Sequence, residues 1–359
     1  MNKPVNKSKT AQIKFLNHVA KSGRSILGVF EYLNNSDPKS DNYYRAIEDA
    51  YGIKPALFST YYPFNEELKR FEWEEANERI IKHYNEGAIC LVHSQNNRWA
   101  EDLVTEDEIT DFICNLDETN NDRIMSYYER YLEVRKQWAD ALEALKKAGV
   151  RVIYRPFVEM TNHFHWDCNA KSQKGYAAFK RVWVQLHDYM ENERGLDNII
   201  WCFAPQAAGG WKAYVKDSNG NQKEVGAARF YPGDDYVDII GFTHYSCGNK
   251  DGMFSIAREL ELWDYSEYFK LGKPVGFSEL GVKPRINENT GEMTEPGDFA
   301  NLLQHIKSEF KGKISFCCMW SVEQGLLYEK HLSAKEFVND DYFIKLTDMV
   351  GHTVVKEEN

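Results

Sequence analysis

Long apolar runs are missing from this 359-residue chain. No stretch approaches the roughly 18 consecutive apolar residues of a membrane-spanning helix, so no spanning segment is expected. Positive charge is scarce as well. Lys and Arg number 44 against 55 Asp and Glu, for a formal net charge of −11, and an acidic chain lacks the basic face that grips a phosphate backbone. Nucleic acid is therefore not an expected partner. C-x-x-C spacing is absent too. The seven cysteines, Cys90, Cys114, Cys168, Cys202, Cys247, Cys317 and Cys318, fall mostly in apolar strand-like runs and read as small buried hydrophobes of a fold that does not rely on disulfides. The vicinal pair Cys317-Cys318 is expected on opposite faces of one strand. Neither G-x-G-x-x-G nor G-x-x-x-x-G-K-[ST] occurs, which removes the usual phosphate-cradling loops of open nucleotide-binding sheets. H-E-x-x-H is absent as well. Asp217, Asn219 and Asn221 open like a calcium loop, but Gln222 stands where a Gly is needed and Ala228 where a bidentate Glu is needed. No cofactor and no metal is expected. The amino terminus, MNKPVNKSKTAQIKF, carries lysines without an apolar signal core, so the chain is expected to be cytoplasmic or a processed secreted form.

What is present is a regular alternation. At 43% hydrophobic and 14% aromatic residues the chain can bury a large core. Short apolar or β-branched runs at 25–31, 55–61, 88–94, 150–159, 198–205, 237–245, 274–280 and 314–321 read as eight strands. Between them lie segments of helical period. Ile124, Tyr128, Tyr131, Val134, Trp138, Leu142 and Leu145 recur at steps of three or four residues, as do Tyr176, Phe179, Val182, Leu186 and Tyr189. Further helices are expected at 72–86, 253–270, 298–310 and 334–350. Near-continuous apolar strands separated by helices suit a parallel sheet covered on both faces by crossover helices. The expected fold is α/β, a (β/α)8 TIM barrel in a single domain over 1–359, with a doubly wound open sheet as the structural alternative. The longest insertions follow the third strand (95–123) and the fifth (206–230), on the face where such a barrel builds its active site. The second reads as a small hairpin around Asn219-Gly220.

Two glutamates, Glu159 and Glu279, close the fourth and seventh strands although 120 residues separate them. Charge at the end of a buried strand costs desolvation free energy, so local geometry alone does not account for both. In a barrel the strand ends converge on one mouth, and they carry Glu31, Tyr61, Tyr62, His93, Arg155, Glu159, His244, Tyr245, Glu279 and Trp320. The fourth and seventh strands lie nearly across that mouth, so the two carboxylates can face each other over a ligand. A glycosidic bond needs a proton on its leaving oxygen and negative charge beside a developing oxocarbenium ion, which two differently tuned carboxyl groups supply. The structural alternative is an ion pair inside the barrel, Glu279 with Arg155 in particular.

The motifs R-P-F-V-E-M-x-x-x-F-x-W at 155–166, Y-P-G-D-D-Y-V-D-I-I-G-F at 231–242, K-P-V-G-F-S-E at 273–279 and the final strand ending in Trp320 resemble glycoside hydrolase family 26. ILGVF at 26–30 and VNDDYF at 338–343 extend the resemblance over nearly the whole chain. It implies a retaining β-glycanase on a (β/α)8 barrel, with Glu159 as acid/base, Glu279 as nucleophile and Tyr245 hydrogen-bonded to the nucleophile. It also implies that His93 and Trp320 line the sugar subsite on the nucleophile's side and that Phe164 stacks the leaving sugar. Arg155, His165 and Trp166 are further candidate substrate contacts. Four positions depart from the family pattern: Val158 replaces a His, Thr161-Asn162 replaces Asn-Gly, and Thr243 replaces an Asp.

The resulting expectation is a retaining endo-β-glycosidase acting by double displacement on a β-linked polysaccharide or oligosaccharide, first of all β-1,4-mannan. Alternatives are a β-1,3-1,4-glucanase or β-1,3-xylanase of the same family, or a non-catalytic carbohydrate-binding barrel. In the catalytic role Glu159 has to stay protonated near neutral pH while Tyr245 and Arg155 keep Glu279 ionised.

Overall fold

The computed structural model describes residues 8–33, 41–65, 67–94, 122–160, 173–205, 214–216, 222–224, 226–247, 266–287, 289–290 and 292–351. Eight strands run in parallel: β1 Ser25–Phe30, β2 Leu57–Tyr62, β3 Ile89–Ser94, β4 Val152–Arg155, β5 Ile199–Phe203, β6 Ile239–Cys247, β7 Val275–Lys283 and β8 Phe316–Met319. Sequential neighbours pair, and β8 pairs back onto β1 at Ile26↔Phe316 through Val29↔Met319, which closes the barrel. A short ninth strand, β9 Phe343–Ile344, adds to the start of β1.

Helices occupy the crossovers. They are α1 Lys9–Lys21, α2 Tyr43–Tyr51, α3 Glu74–Glu86, α4 Asp122–Lys147, α5 Gln173–Asp188, α6 Ser266–Lys270, α7 Phe299–His305, α8 Ala334–Asn339 and α9 Leu346–Gly351. Tyr131, Val134, Trp138, Leu142 and Leu145 of α4, with Tyr176, Phe179, Val182 and Leu186 of α5, are buried as their spacing predicts. Short antiparallel strands Tyr214–Lys216 and Gln222–Glu224 form the expected hairpin, whose turn residues lie outside the described set. Most of the expected insertion at 95–123 and of the helix at 253–270 also lies outside it. Among the described residues no helix is long and apolar enough to cross a membrane.

Strand alternation splits the apolar side chains into two cores. Ile26, Phe30, Leu57, Ile89, Leu91, Ile153, Ile200, Cys202, Ile239, Phe316 and Cys318 fill the barrel, and Leu16 and Val19 of α1, Ile344 of β9 and Met349 of α9 belong to the same cluster and plug its base. Leu27, Val29, Phe58, Val92, Trp201, Phe242, Phe277 and Cys317 face outward under the helices. Cys317 and Cys318 thus lie on opposite faces, as expected. The interior is filled tightly where the chain narrows it with glycine. A Cβ on Gly276 would lie 2.5 Å from the Phe316 ring. Gly276→Ala is therefore expected to cost about 1–3 kcal/mol through overpacking, read as a lower urea midpoint with an unchanged denaturant slope.

Candidate active site

The same alternation decides which strand-end groups reach the mouth. Beyond β1 it turns Glu31 outward and Tyr32 inward. The Glu31 carboxylate lies outside the barrel, accepting from Arg79 Nη1 at 2.6 Å and from the Tyr44 N–H at 3.0 Å. This corrects its expected place among the mouth residues. Tyr62 also turns outward and donates to Asn77 Oδ1 at 3.0 Å. His244 sits between two inward residues of β6 and faces the helix layer near Phe277, where burial pushes its imidazole down to about 3 and keeps it neutral.

Glu279 reaches the mouth because β7 carries a bulge. Phe242 lies opposite Phe277, but the next residue, Thr243, lies opposite Glu279, so Ser278 is an extra residue in β7. The offset recurs against β8, where Phe277↔Cys317 is followed by Leu280↔Met319. Phe277 and Leu280 both belong to the outer core, so Ser278 and Glu279 between them break the alternation. A bulge re-aims a side chain in this way, here turning a carboxylate toward the mouth.

Arg155 ends β4, and Pro156, which has no N–H to continue the ladder, follows it. Its side chain is fully buried. Nη1 donates to Glu279 Oε1 at 2.8 Å and Nη2 to Thr243 Oγ1 at 3.3 Å. The Tyr245 hydroxyl donates to Glu279 Oε2 at 3.0 Å, so each oxygen of this carboxylate has a donor. The ion pair considered from the sequence is therefore present, and it is part of the site. Burial pushes the Glu279 carboxyl up, and the Glu159 charge adds to the push. Arg155 and Tyr245 pull it back without cancelling the rise, so Glu279 titrates above the usual carboxylate range.

Glu159 is not on the strand. β4 ends four residues earlier, and the intervening turn places both Phe157 (φ +50°) and Glu159 (φ +55°) in the left-handed region. Non-glycine residues there carry on the order of 1–3 kcal/mol of strain and stay only where the surroundings fix them. Phe157 is fixed by edge contacts with Trp138 at 6.3 Å and Phe179 at 5.7 Å, and the Glu159 N–H donates to the Ala204 carbonyl at 2.8 Å. The turn is clamped between the outer core and the end of β5. Glu159's charge acts on Glu279, Arg155 and Tyr245 alike, so the two carboxylates share one mouth.

An aromatic wall lines the opposite side. The His93 ring stacks on Phe30 at 5.3 Å and on Tyr61 at 5.7 Å. Trp320 lies face-on to Phe30 at 4.1 Å, with Tyr32 and Tyr245 edge-on to it at 5.4 and 6.0 Å. Phe164, His165 and Trp166 lie outside the described residues. Tyr32 and the contact of Thr243 with Arg155 were not anticipated. Extending the two-residue period Ile26, Gly28, Phe30 by one step would have found Tyr32.

Replacing Arg155 with Met removes the counter-charge and leaves Glu279 buried beside Glu159. Arg155→Met is expected to cost about 3–5 kcal/mol at neutral pH in denaturant unfolding. The cost should shrink as pH falls through the Glu279 pKa, because the folded state then takes up a proton that the unfolded chain binds only at lower pH. A cost independent of pH would contradict this electrostatic account.

With this geometry established, similarity to known proteins is specific. The model of glycosyl hydrolase family 26 matches residues 74–262, just over half of the chain. A mannan endo-1,4-beta-mannosidase of Bacillus subtilis strain 168 is 28% identical over 200 residues, covering 55% of this chain and 46% of that protein, so the match spans less than half of the curated relative. Among solved structures, the Bacillus subtilis mannanase BCman superposes with a TM-score of 0.72 at 21% identity, covering 95% of this chain and 94% of that one. GH26A from a Muricauda species superposes with a TM-score of 0.67 at 23% identity, covering 96% and 99%. These structural likenesses speak for the barrel, and the family match speaks for descent: the chain belongs to glycosyl hydrolase family 26.

Proposed function

We propose that this protein is a retaining endo-β-glycosidase that cleaves β-1,4-linked mannan by double displacement. The observation that carries the reading is the Glu279 carboxylate, turned into the mouth by a bulge and held on both oxygens, one by Arg155 and the other by Tyr245. A carboxylate fixed in this way suits attack on an anomeric carbon. Membership of family 26 and the activity of the curated mannosidase relative support the reaction class and the sugar.

In the first step Glu279 attacks the anomeric carbon while Glu159 gives its proton to the departing glycosidic oxygen, leaving a glycosyl ester on Glu279. In the second, Glu159 takes a proton from water, the resulting hydroxide attacks the anomeric carbon, and Glu279 leaves as carboxylate. Trp320 and His93 line the side on which the glycosyl group stays. Trp320 has one face covered by Phe30, and its indole plane suits stacking on a sugar ring.

One residue favours keeping a second substrate in view. Val158, beside Glu159, is buried and offers no side-chain hydrogen bond to a sugar hydroxyl, so mixed-linkage β-glucan and β-1,3-xylan belong in the same assay. Glu159→Ala and Glu279→Ala are each expected to lower kcat on the preferred polymer by at least about a thousandfold. Reducing-end release that persists in Glu279→Ala would remove the nucleophile assignment. Oligosaccharide binding in the wild type without any release would instead make the protein a carbohydrate-binding barrel. Because a protonated Glu279 cannot attack, kcat/KM should fall on the acid side at a pH above the ordinary carboxylate range, as a pH–rate profile would record.

A further inference from the structure

Thr243 is completely buried, so it touches no substrate, yet it lies directly opposite Glu279 across the β6–β7 ladder at the point where the register shifts. Its backbone is fixed by an N–H bond to the Pro205 carbonyl at 3.2 Å. Its hydroxyl accepts from Arg155 Nη2 at 3.3 Å, while Nη1 of the same guanidinium donates to Glu279 at 2.8 Å. Arg155 Nε finds no partner among the described residues. Among the described residues the buried cation is thus held by two side chains, one charged and one neutral.

We infer that Thr243 is a positioning residue for the reaction: its hydroxyl aims the Arg155 guanidinium at Glu279, and its neutrality leaves Glu279 as the one carboxylate hydrogen-bonded to that guanidinium among the described residues. The inference rests on the reading of Glu279 as nucleophile. A buried guanidinium with an unsatisfied Nη2 would turn toward any other acceptor and loosen its hold on Glu279. An acidic side chain at position 243 would compete for Arg155 and repel Glu279 across a paired position. Among the described residues, the other titratable groups that act on Glu279 or feel its charge are Glu159 beyond β4, Tyr245 on β6, Tyr32 beyond β1 and Cys318 on β8. None of them changes in the substitutions below.

The test is the acid limb of kcat/KM in Thr243→Val, Thr243→Ser and Thr243→Asp, with 13C-carboxyl titration of labelled glutamate in the same proteins as a readout independent of turnover. Thr243→Val is expected to move the limb and the Glu279 resonance up by about 0.5–1 pH unit, Thr243→Asp further in the same direction, and Thr243→Ser back to the wild-type position. A purely structural role would lower thermal stability and leave the profile in place. If Thr243→Val does not fold, Thr243→Cys keeps the shape with a weaker acceptor and should move the limb the same way. A folded Thr243→Val whose profile and titration superpose on wild type overturns the inference while leaving the nucleophile intact. Turnover that survives Glu279→Ala overturns both.

Discussion

The ion pair between Arg155 and Glu279 is the constraint on which the rest of the site depends. It spans the barrel from β4 to β7 with both partners out of water. An isolated pair of this kind gains little net stability, since desolvating two charges offsets their attraction unless the remaining donors and acceptors are also met. The surroundings meet most of them. Tyr245 supplies the second donor to the carboxylate, Thr243 accepts from the second guanidinium nitrogen, and the extra residue Ser278 in β7 turns Glu279 into reach. Each of these features spends backbone or side-chain freedom on one geometry. A site selected only for stability would more simply have carried apolar residues there.

The two glutamates are held by opposite means. Glu279 is fixed by side chains on a regular strand interrupted by one bulge. Glu159 is fixed by its backbone, in a left-handed conformation clamped between Phe157's aromatic neighbours and the end of β5. A carboxylate whose two oxygens are already engaged suits the part of an attacking group. One carried on a clamped turn beside it, sensed by the same arginine and tyrosine, suits proton transfer. This division is the physical content of the proposed double displacement.

Much of this was legible in the sequence, and the part that was not has an identifiable cause. The eight strands and the buried stripes of α4 and α5 follow from apolar periodicity, which burial enforces along a whole element. The convergence of Glu159 and Glu279 followed from the closed topology. What periodicity could not carry was any break in it. A one-residue bulge in β7 leaves no mark on an apolar run, and the strand expected to end at Glu159 stops at Arg155 because Pro156 ends the ladder. Glu31 was placed in the mouth by proximity to a strand end, whereas strict alternation sends it out to Arg79 and brings Tyr32 in. The net rise of the Glu279 pKa was likewise hidden, since it is a balance of burial and Glu159 against Arg155 and Tyr245 that exists only in the folded chain.

In the proposed mechanism Glu279, held by Arg155 and Tyr245, is the group that forms the covalent bond to the sugar. This role is tested most directly by incubating the protein with an activated 2-deoxy-2-fluoro-β-mannoside and mapping the adduct by mass spectrometry. One fluoromannosyl group is expected on the peptide that contains Glu279. An adduct on Glu159 or any other residue, or release of product with inverted anomeric configuration, would contradict it.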